Sequence, residues 1–144
     1  MPFLNLKDEE IKGLSGLQSN GFVFDWTKKS SNRSQTTVFY SDSDIAGLVE
    51  FERRPEDLLN YLWLIEVGDN FKGTGVAGKL LAYVAKDSLT AGFDGFVLFE
   101  PKTYLYEFYI QAFKAKPVRD RYLMFDTETA NWLIQKYLGT EEFA

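Results

Sequence analysis

The segment from Lys72 to Leu80 has the composition of a phosphate-binding turn. It contains glycines at positions 73, 75 and 78 and lysines at positions 72 and 79. Glycine lets the backbone approach a phosphate closely, and the unpaired N–H groups and the dipole at a helix start attract an anion. Because three glycines fall within six positions at the start of a predicted helix, we expect this turn to bind a phosphorylated ligand.

Two patterns that fit the segment belong to nucleotide-binding proteins. The three glycines form the G-x-G-x-x-G of a dinucleotide site, and an acid, Glu100, follows at the end of a later predicted strand. Residues 73–79 also form the G-x-x-x-x-G-K of a P-loop, although Leu80 replaces the Ser or Thr that holds magnesium. In both motifs a strand runs almost directly into the first glycine, whereas residues 68–72 intervene here. The dinucleotide site and the P-loop both stay open as interpretations, although the distance between strand and glycine is unfavourable for each.

The residue types that the chain lacks restrict its chemistry. The sequence contains no cysteine and no histidine. Disulfides, thiolate catalysis, thiolate zinc sites and the commonest general base are therefore excluded. Carboxylates, tyrosines, lysines, hydroxyl groups and backbone N–H groups remain available, so we expect chemistry that needs no metal ion.

Composition and charge favour a folded, soluble protein. The chain has 144 residues, 45% of them hydrophobic, which suits a single domain over residues 1–144. Its net charge is −5, whereas proteins that bind nucleic acid usually carry a basic surface patch. We therefore expect no nucleic-acid partner. No apolar run approaches the roughly 18 residues that span a bilayer, so we expect a cytoplasmic protein without a membrane partner. The aromatic content is compatible with a homodimer.

The elements that would position the glycine turn form a mixed pattern. Before the turn, alternating or β-branched residues predict strands at 22–26, 36–40, 45–51 and 61–67. After it, the sequence predicts helices at 76–90, 102–113 and 127–138, and strands at 95–99 and 122–125. This order predicts an α+β fold: a mixed, mostly antiparallel sheet flanked by helices, with a parallel connection across the helix 76–90.

The run of strand, short polar loop, basic residue, glycine turn and long helix resembles the GNAT family of acyl-CoA N-acetyltransferases. The family signature Gln/Arg-x-x-Gly-x-Gly/Ala matches Lys72, Gly75 and Ala77, with lysine in the first place. Lysine keeps the charge but lacks the planar fork of arginine. The resemblance, which covers about residues 45–125, implies a GNAT-like acyl-CoA N-acyltransferase fold. It also implies that the pyrophosphate of acetyl-CoA binds to Lys72, Gly73, Thr74, Gly75, Val76, Ala77 and Gly78.

The resemblance also implies catalytic residues. The pattern from Leu105 to Phe113 is similar to a later family helix whose tyrosine protonates the leaving thiolate, which implies that role for Tyr109. The family often places its general base on the strand before the glycine turn, where Glu66 is the predicted base. Regular alternation predicts Glu66 on the face opposite Tyr61 and Trp63. The backbone N–H near Val67 is expected to polarise the thioester carbonyl, as an oxyanion hole does.

These inferences predict direct transfer of an acetyl group from acetyl-CoA to an amine of a small molecule or a peptide. The acidic net charge favours a cationic acceptor, but the sequence does not identify the acceptor. The alternatives are a P-loop-like nucleotide-binding protein and a non-catalytic module that binds CoA or a partner.

Overall fold

The computed structural model describes residues 2–14 and 16–139. The strands are β1 (Phe3–Leu6), β2 (Gln35–Ser41), β3 (Asp44–Arg54), β4 (Leu59–Val67), β5 (Val97–Phe99), β6 (Lys116–Pro117) and β7 (Leu123–Phe125). The helices are α1 (Asp8–Lys12), α2 (Val76–Thr90), α3 (Tyr106–Phe113) and α4 (Thr127–Leu133), with a π-helical turn at Ile134–Leu138. Within these ranges no helix combines the length and the apolarity needed to cross a bilayer.

All seven strands form one mixed sheet in the order β1-β2-β3-β4-β5-β7-β6. Neighbouring strands are antiparallel except β4 and β5, which are parallel and are connected through α2. The predicted fold class is therefore confirmed. The predicted central strand before the glycine turn is β4, which lies in the middle of the sheet.

The sheet is buried on its two faces by different parts of the chain. On one face, α2 inserts Leu80, Leu81 and Val84 into the main core, together with residues of α3 and α4. On the other face, the segment between β1 and β2 contributes Phe22 and Trp26 to a second core. The second core covers β2, β3 and part of β4, whereas residues of α2, α3 and α4 belong to the main core.

The predicted strand at residues 22–26 is wrong. These residues form a loop, in which Phe22 and Trp26 are buried whereas Val23 is 80% exposed. The loop therefore shows the same alternation of buried and exposed side chains as a strand. The backbone N–H groups of Val23 and Phe24 donate to the Glu66 carboxylate rather than to a neighbouring strand. The edge strands β1 and β6, which the sequence patterns did not predict, are short.

A β-bulge interrupts the alternation of β4. Leu64 lies opposite Glu50, but the next partner of β3, Phe51, lies opposite Leu62, so Trp63 is an extra residue. After a bulge, the side chains that follow change faces relative to regular alternation.

The bulge corrects the expected placement of Glu66. Ile65 packs against the α2 core, whereas Leu64 packs in the second core. Glu66 follows the face of Leu64 and contacts Trp26 of the second core. Tyr61 lies opposite Glu52, whose carboxylate accepts the Trp63 indole N–H, so Tyr61 and Trp63 also face away from α2. Glu66 therefore shares their face, and the prediction of opposite faces is wrong.

Candidate active site

A cavity of about 790 Å³ opens where β4 and β5 diverge. The parallel ladder between the two strands ends at the pair of Leu62 and Phe99. Beyond this pair, residues 63–67 of β4 line the cavity on one side, and Glu100 and Pro101 line it on the other. The divergence exposes the hydrogen-bonding edge of β4 to a ligand.

The β4 edge presents backbone groups in a fixed pattern. The Gly68 N–H donates to the Ala46 carbonyl at 2.9 Å, so Gly68 directs its N–H toward β3. Residues of an antiparallel strand alternate between pointing toward the partner and pointing away from it. The N–H and C=O groups of Ile65 and Val67 therefore point into the cavity. This orientation is what the predicted role of the Val67 N–H requires.

The glycine turn forms the other end of the cavity. Gly75 has a φ of 89° and precedes the first residue of α2, Val76. The first helical hydrogen bond runs from the Lys79 N–H to the Gly75 carbonyl at 3.1 Å. Because the N–H groups before it have no acceptor within the helix, those of Val76, Ala77 and Gly78 are available to an anion.

Most of the predicted cofactor-binding residues line this one cavity: Val67, Lys72, Gly73, Gly75, Val76, Ala77 and Gly78. Thr74 is directed away, since its N–H and its hydroxyl both donate to the Phe71 carbonyl. The Lys72 ammonium lies 3.0 Å from Asp69, and both side chains are largely exposed. An exposed ion pair of this kind is weak, so Lys72 can turn toward a phosphate.

The side chains that a P-loop would use point elsewhere. The Lys79 ammonium lies 5.3 Å from the centre of the Phe39 ring, and Lys79 is not among the residues that line the cavity. Leu80 is fully buried in the main core. The geometry therefore gives the P-loop alternative neither its phosphate-binding lysine nor a residue in place to hold magnesium.

The C-terminal segment closes the cavity beside the glycine turn. Tyr137 packs so tightly on α2 that a Cβ atom added to Gly78 would lie 2.2 Å from its ring. Tyr137 also lines the cavity. The close approach of this ring therefore requires glycine at position 78. The final helical segment lies outside the family resemblance, but it forms part of the site.

Tyr109 lines the cavity from α3. Its ring packs edge-on against Phe99 with 5.1 Å between ring centres, and the side chain is only 8% exposed. Burial, with a smaller effect from Tyr104, raises the pKa of Tyr109 to about 12. The phenol therefore keeps its proton at neutral pH, as a proton donor must.

Glu66 lines the same cavity, but its carboxylate is already engaged. One oxygen accepts the Val23 N–H at 2.7 Å, and the other accepts the Phe24 N–H at 3.2 Å and the Trp26 indole N–H at 2.7 Å. These bonds fix the loop at residues 22–26, which forms a cavity wall. A base role, which remains a prediction, requires that Glu66 exchange one of these donors for the amine.

We expect Glu66→Gln to lower the free energy of unfolding by about 1–3 kcal/mol, because an amide N–H₂ would meet backbone donors where an oxygen accepts them now. Urea unfolding checks this loss, and Glu107→Gln, an exposed carboxylate on α3, is the matched control. Equal stability of Glu66→Gln and the wild type would refute the structural role.

The same variant also tests the base role. A loss of kcat in folded Glu66→Gln would support that role, and unchanged kcat would contradict it.

A second cavity of about 460 Å³ adjoins the first. Sequence patterns did not indicate it, because its residues come from five separate places in the chain: Arg54, Tyr61, Trp63, Leu98, Glu100, Val118, Arg119 and Tyr122. Burial would raise the pKa of the Glu52 carboxyl beneath it, but hydrogen bonds from Trp63, Ser31 and Arg54 hold that pKa at about 2. The register of β3 on β4, with Glu52 opposite Tyr61, is the signal that could have revealed this cluster.

The protein resembles known proteins in its structure. No protein-family model matches the sequence, and no curated protein matches it. A structure of AtaTR bound with acetyl-CoA aligns with a TM-score of 0.65 at 14% identity, over 92% of this chain and 96% of the other. An acetyltransferase assigned to the GNAT family from Desulfovibrio desulfuricans aligns with a TM-score of 0.54 at 21% identity, over 65% of this chain and 69% of the other. Nourseothricin acetyltransferase aligns with a TM-score of 0.51 at 18% identity, and the match spans 65% of each chain.

Two further neighbours contradict the expectation of no nucleic-acid partner. They are the AtaT–AtaR complex bound to DNA, with a TM-score of 0.66 at 13% identity, and a KacTA–DNA complex, with a TM-score of 0.57 at 14% identity. The first match covers 93% of this chain and 99% of the other. The expectation used the net charge of the whole chain, which does not describe local patches or the other components of an assembly.

The neighbours that are acetyltransferases align with this chain by structure, at TM-scores of 0.51 and 0.54. In this chain the mixed sheet has two parallel central strands, which are joined through a long helix that begins at a glycine turn. At identities of 21% or less, these likenesses concern the fold. The protein therefore has the GNAT acyl-CoA N-acyltransferase fold.

Proposed function

We propose that the protein is an N-acetyltransferase that moves an acetyl group directly from acetyl-CoA to an amine. The observation that carries this proposal is the cavity between β4 and β5, which combines two sets of backbone donors. The glycine turn offers N–H groups to an anion at one end. The open edge of β4 offers the N–H and C=O groups of Ile65 and Val67 along its side.

These groups match the chemical parts of acetyl-CoA. The N–H groups of Gly75, Val76, Ala77 and Gly78, with Lys72 beside them, would bind the pyrophosphate. The amide groups of the pantetheine arm would pair with Ile65 and Val67, as a strand pairs with a sheet edge. A neighbour with this fold, AtaTR, is known in a structure bound with acetyl-CoA, which supports the proposal.

The residues around the cavity have the chemistry that acyl transfer needs. The amine nitrogen attacks the thioester carbonyl carbon, so a C–N bond forms and the C–S bond breaks. The Val67 N–H stabilises the negative charge that develops on the carbonyl oxygen. Tyr109 donates a proton to the departing sulfur, and Glu66 or a water molecule removes the proton from the amine. Because the chain has no cysteine or histidine, direct attack is favoured over a covalent enzyme intermediate.

Thermal unfolding with acetyl-CoA, CoA, Mg-ATP and duplex DNA tests the proposal. A ligand present at 100 times its Kd stabilises a protein by about 2.7 kcal/mol, which a melting curve resolves. We expect stabilisation by acetyl-CoA and CoA. DNA is included because two neighbours with this fold occur in DNA complexes.

The pattern of stabilisation distinguishes an acetyltransferase from the alternative functions. Stabilisation by Mg-ATP alone, or none by acetyl-CoA, would refute the acetyltransferase proposal. Stabilisation by acetyl-CoA without acetyl transfer to any amine of a broad panel would indicate a CoA-binding module instead.

A further inference from the structure

The second cavity lies on the face of the sheet that α2 leaves open. Val97 and Phe99 of β5 point into the main core, so Leu98 points to the opposite side and lines this cavity. Tyr61, the neighbour of Leu98 across the parallel ladder, lies beside it. The two cavities share Trp63 and Glu100 among their lining residues. A molecule in the second cavity can therefore reach the end of the acetyl-CoA cavity where β4 and β5 diverge.

Two arginines supply guanidinium donors to one part of the second cavity. The Arg54 guanidinium lies 4.1 Å from the centre of the Tyr61 ring and 5.8 Å from that of Trp63. Its Nε donates to Glu52 at 3.1 Å, which fixes the stacked orientation and leaves the terminal nitrogens as donors. Arg119 is exposed and, within the described part of the chain, forms no ion pair. Planar guanidinium groups in such positions suit a carboxylate or a phosphate.

The junction between the cavities has the opposite charge. Glu100 lines both cavities, and its carboxylate lies 3.1 Å from Arg121 with 36% of the side chain exposed. A carboxylate at this point attracts the ammonium form of an amine toward the diverging strands. Arg54 lies over Tyr61, in the part of β4 that is still paired with β5. The second cavity therefore has guanidinium donors beside the paired strands and a carboxylate where they diverge.

We propose that the second cavity is the acceptor pocket and that the acceptor is an amine that also carries an anionic group, either a carboxylate or a phosphate. Arg54 and Arg119 bind the anionic group, the aromatic floor of Tyr61 and Trp63 supports the body of the acceptor, and Glu100 draws the amine to the junction. This inference rests on the proposed acetyltransferase function. It reverses the cationic acceptor that the net charge favours, because the residues lining this pocket include two arginines and one glutamate.

Pairs of amines that differ by one anionic group test this inference. Tyrosine and tyramine form the carboxylate pair, and O-phosphoethanolamine and ethanolamine form the phosphate pair. Because a charge-assisted hydrogen bond is strong, we expect the anionic member of at least one pair to bind about tenfold more tightly in calorimetric titration. The preferred pair identifies the group. Arg119→Gln should remove the preference, whereas Lys28→Gln, which removes an equal charge from an exposed side chain outside the pocket, should keep it.

The outcomes separate this inference from the proposed function. The melting shift with acetyl-CoA is measured in parallel for the wild type and for Arg119→Gln. We expect acetyl-CoA to stabilise the two proteins equally. Equal binding within both pairs, no binding of any of the four amines, or an unchanged preference in Arg119→Gln would overturn the acceptor pocket. Absence of acetyl-CoA stabilisation in the wild type would overturn the acetyltransferase proposal instead.

Discussion

Replacement of Tyr109 by phenylalanine should lower kcat about a hundredfold or more while acetyl-CoA still binds. The substitution removes the phenol proton and keeps the ring that packs on Phe99. The thiolate of CoA would then leave without its proton donor. Single-turnover transfer to an amine that the wild type acetylates measures the loss, and the melting shift with acetyl-CoA measures the retained binding.

Tyr104→Phe is the matched control, because Tyr104 lines the same cavity but is 77% exposed. It should retain wild-type turnover. The raised pKa of Tyr109, about 12, also predicts that its proton stays in place throughout the neutral and moderately alkaline range. Turnover that is equal in Tyr109→Phe and the wild type would exclude this tyrosine as the acid.

Gly75→Ala should weaken acetyl-CoA binding by about tenfold or more, because a left-handed conformation costs other residues roughly 1–2 kcal/mol and relief of the strain would reorient the N–H groups of the turn. An added Cβ meets nothing within 4 Å, so the effect comes from the backbone, where φ is 89°. Calorimetric titration with acetyl-CoA measures the change in Kd.

Gly92→Ala separates strain from binding. Gly92 has a φ of 87° and equally open space, but it follows α2 and does not line the cavity. Both substitutions should lower the melting temperature by similar amounts, and only Gly75→Ala should weaken acetyl-CoA binding. If the two variants bind acetyl-CoA equally well, the glycine turn is not the pyrophosphate site.

Local patterns were sufficient for the elements that carry the glycine turn. The stripe of apolar residues and the glycine before it predicted the helix at 76–90, and α2 occupies that range. The apolar run before the turn predicted the central strand, since a strand buried on both faces needs apolar residues throughout. Both signals arise from neighbours within a few positions, so the sequence displays them directly.

Features that depend on pairing between distant residues were not predictable in this way. The bulge at Trp63 follows from the register between β3 and β4, and it moved Glu66 to the other face. The alternation of residues 22–26 predicted their burial correctly. It could not predict that the backbone N–H groups of Val23 and Phe24 donate to Glu66. The second cavity joins residues from Arg54 to Tyr122, which only the folded sheet brings together.

The hydrogen bonds of Glu66 also bear on the order in which the site can form during folding. The glycine turn and the start of α2 are local in sequence, whereas the bonds from Val23 and Trp26 to Glu66 close loops of about 40 residues. Contacts of long range cost more chain entropy and form slowly. The glycine-turn end of the cavity can therefore be present in a partly folded chain, and the wall at residues 22–26 is completed only when the sheet has assembled.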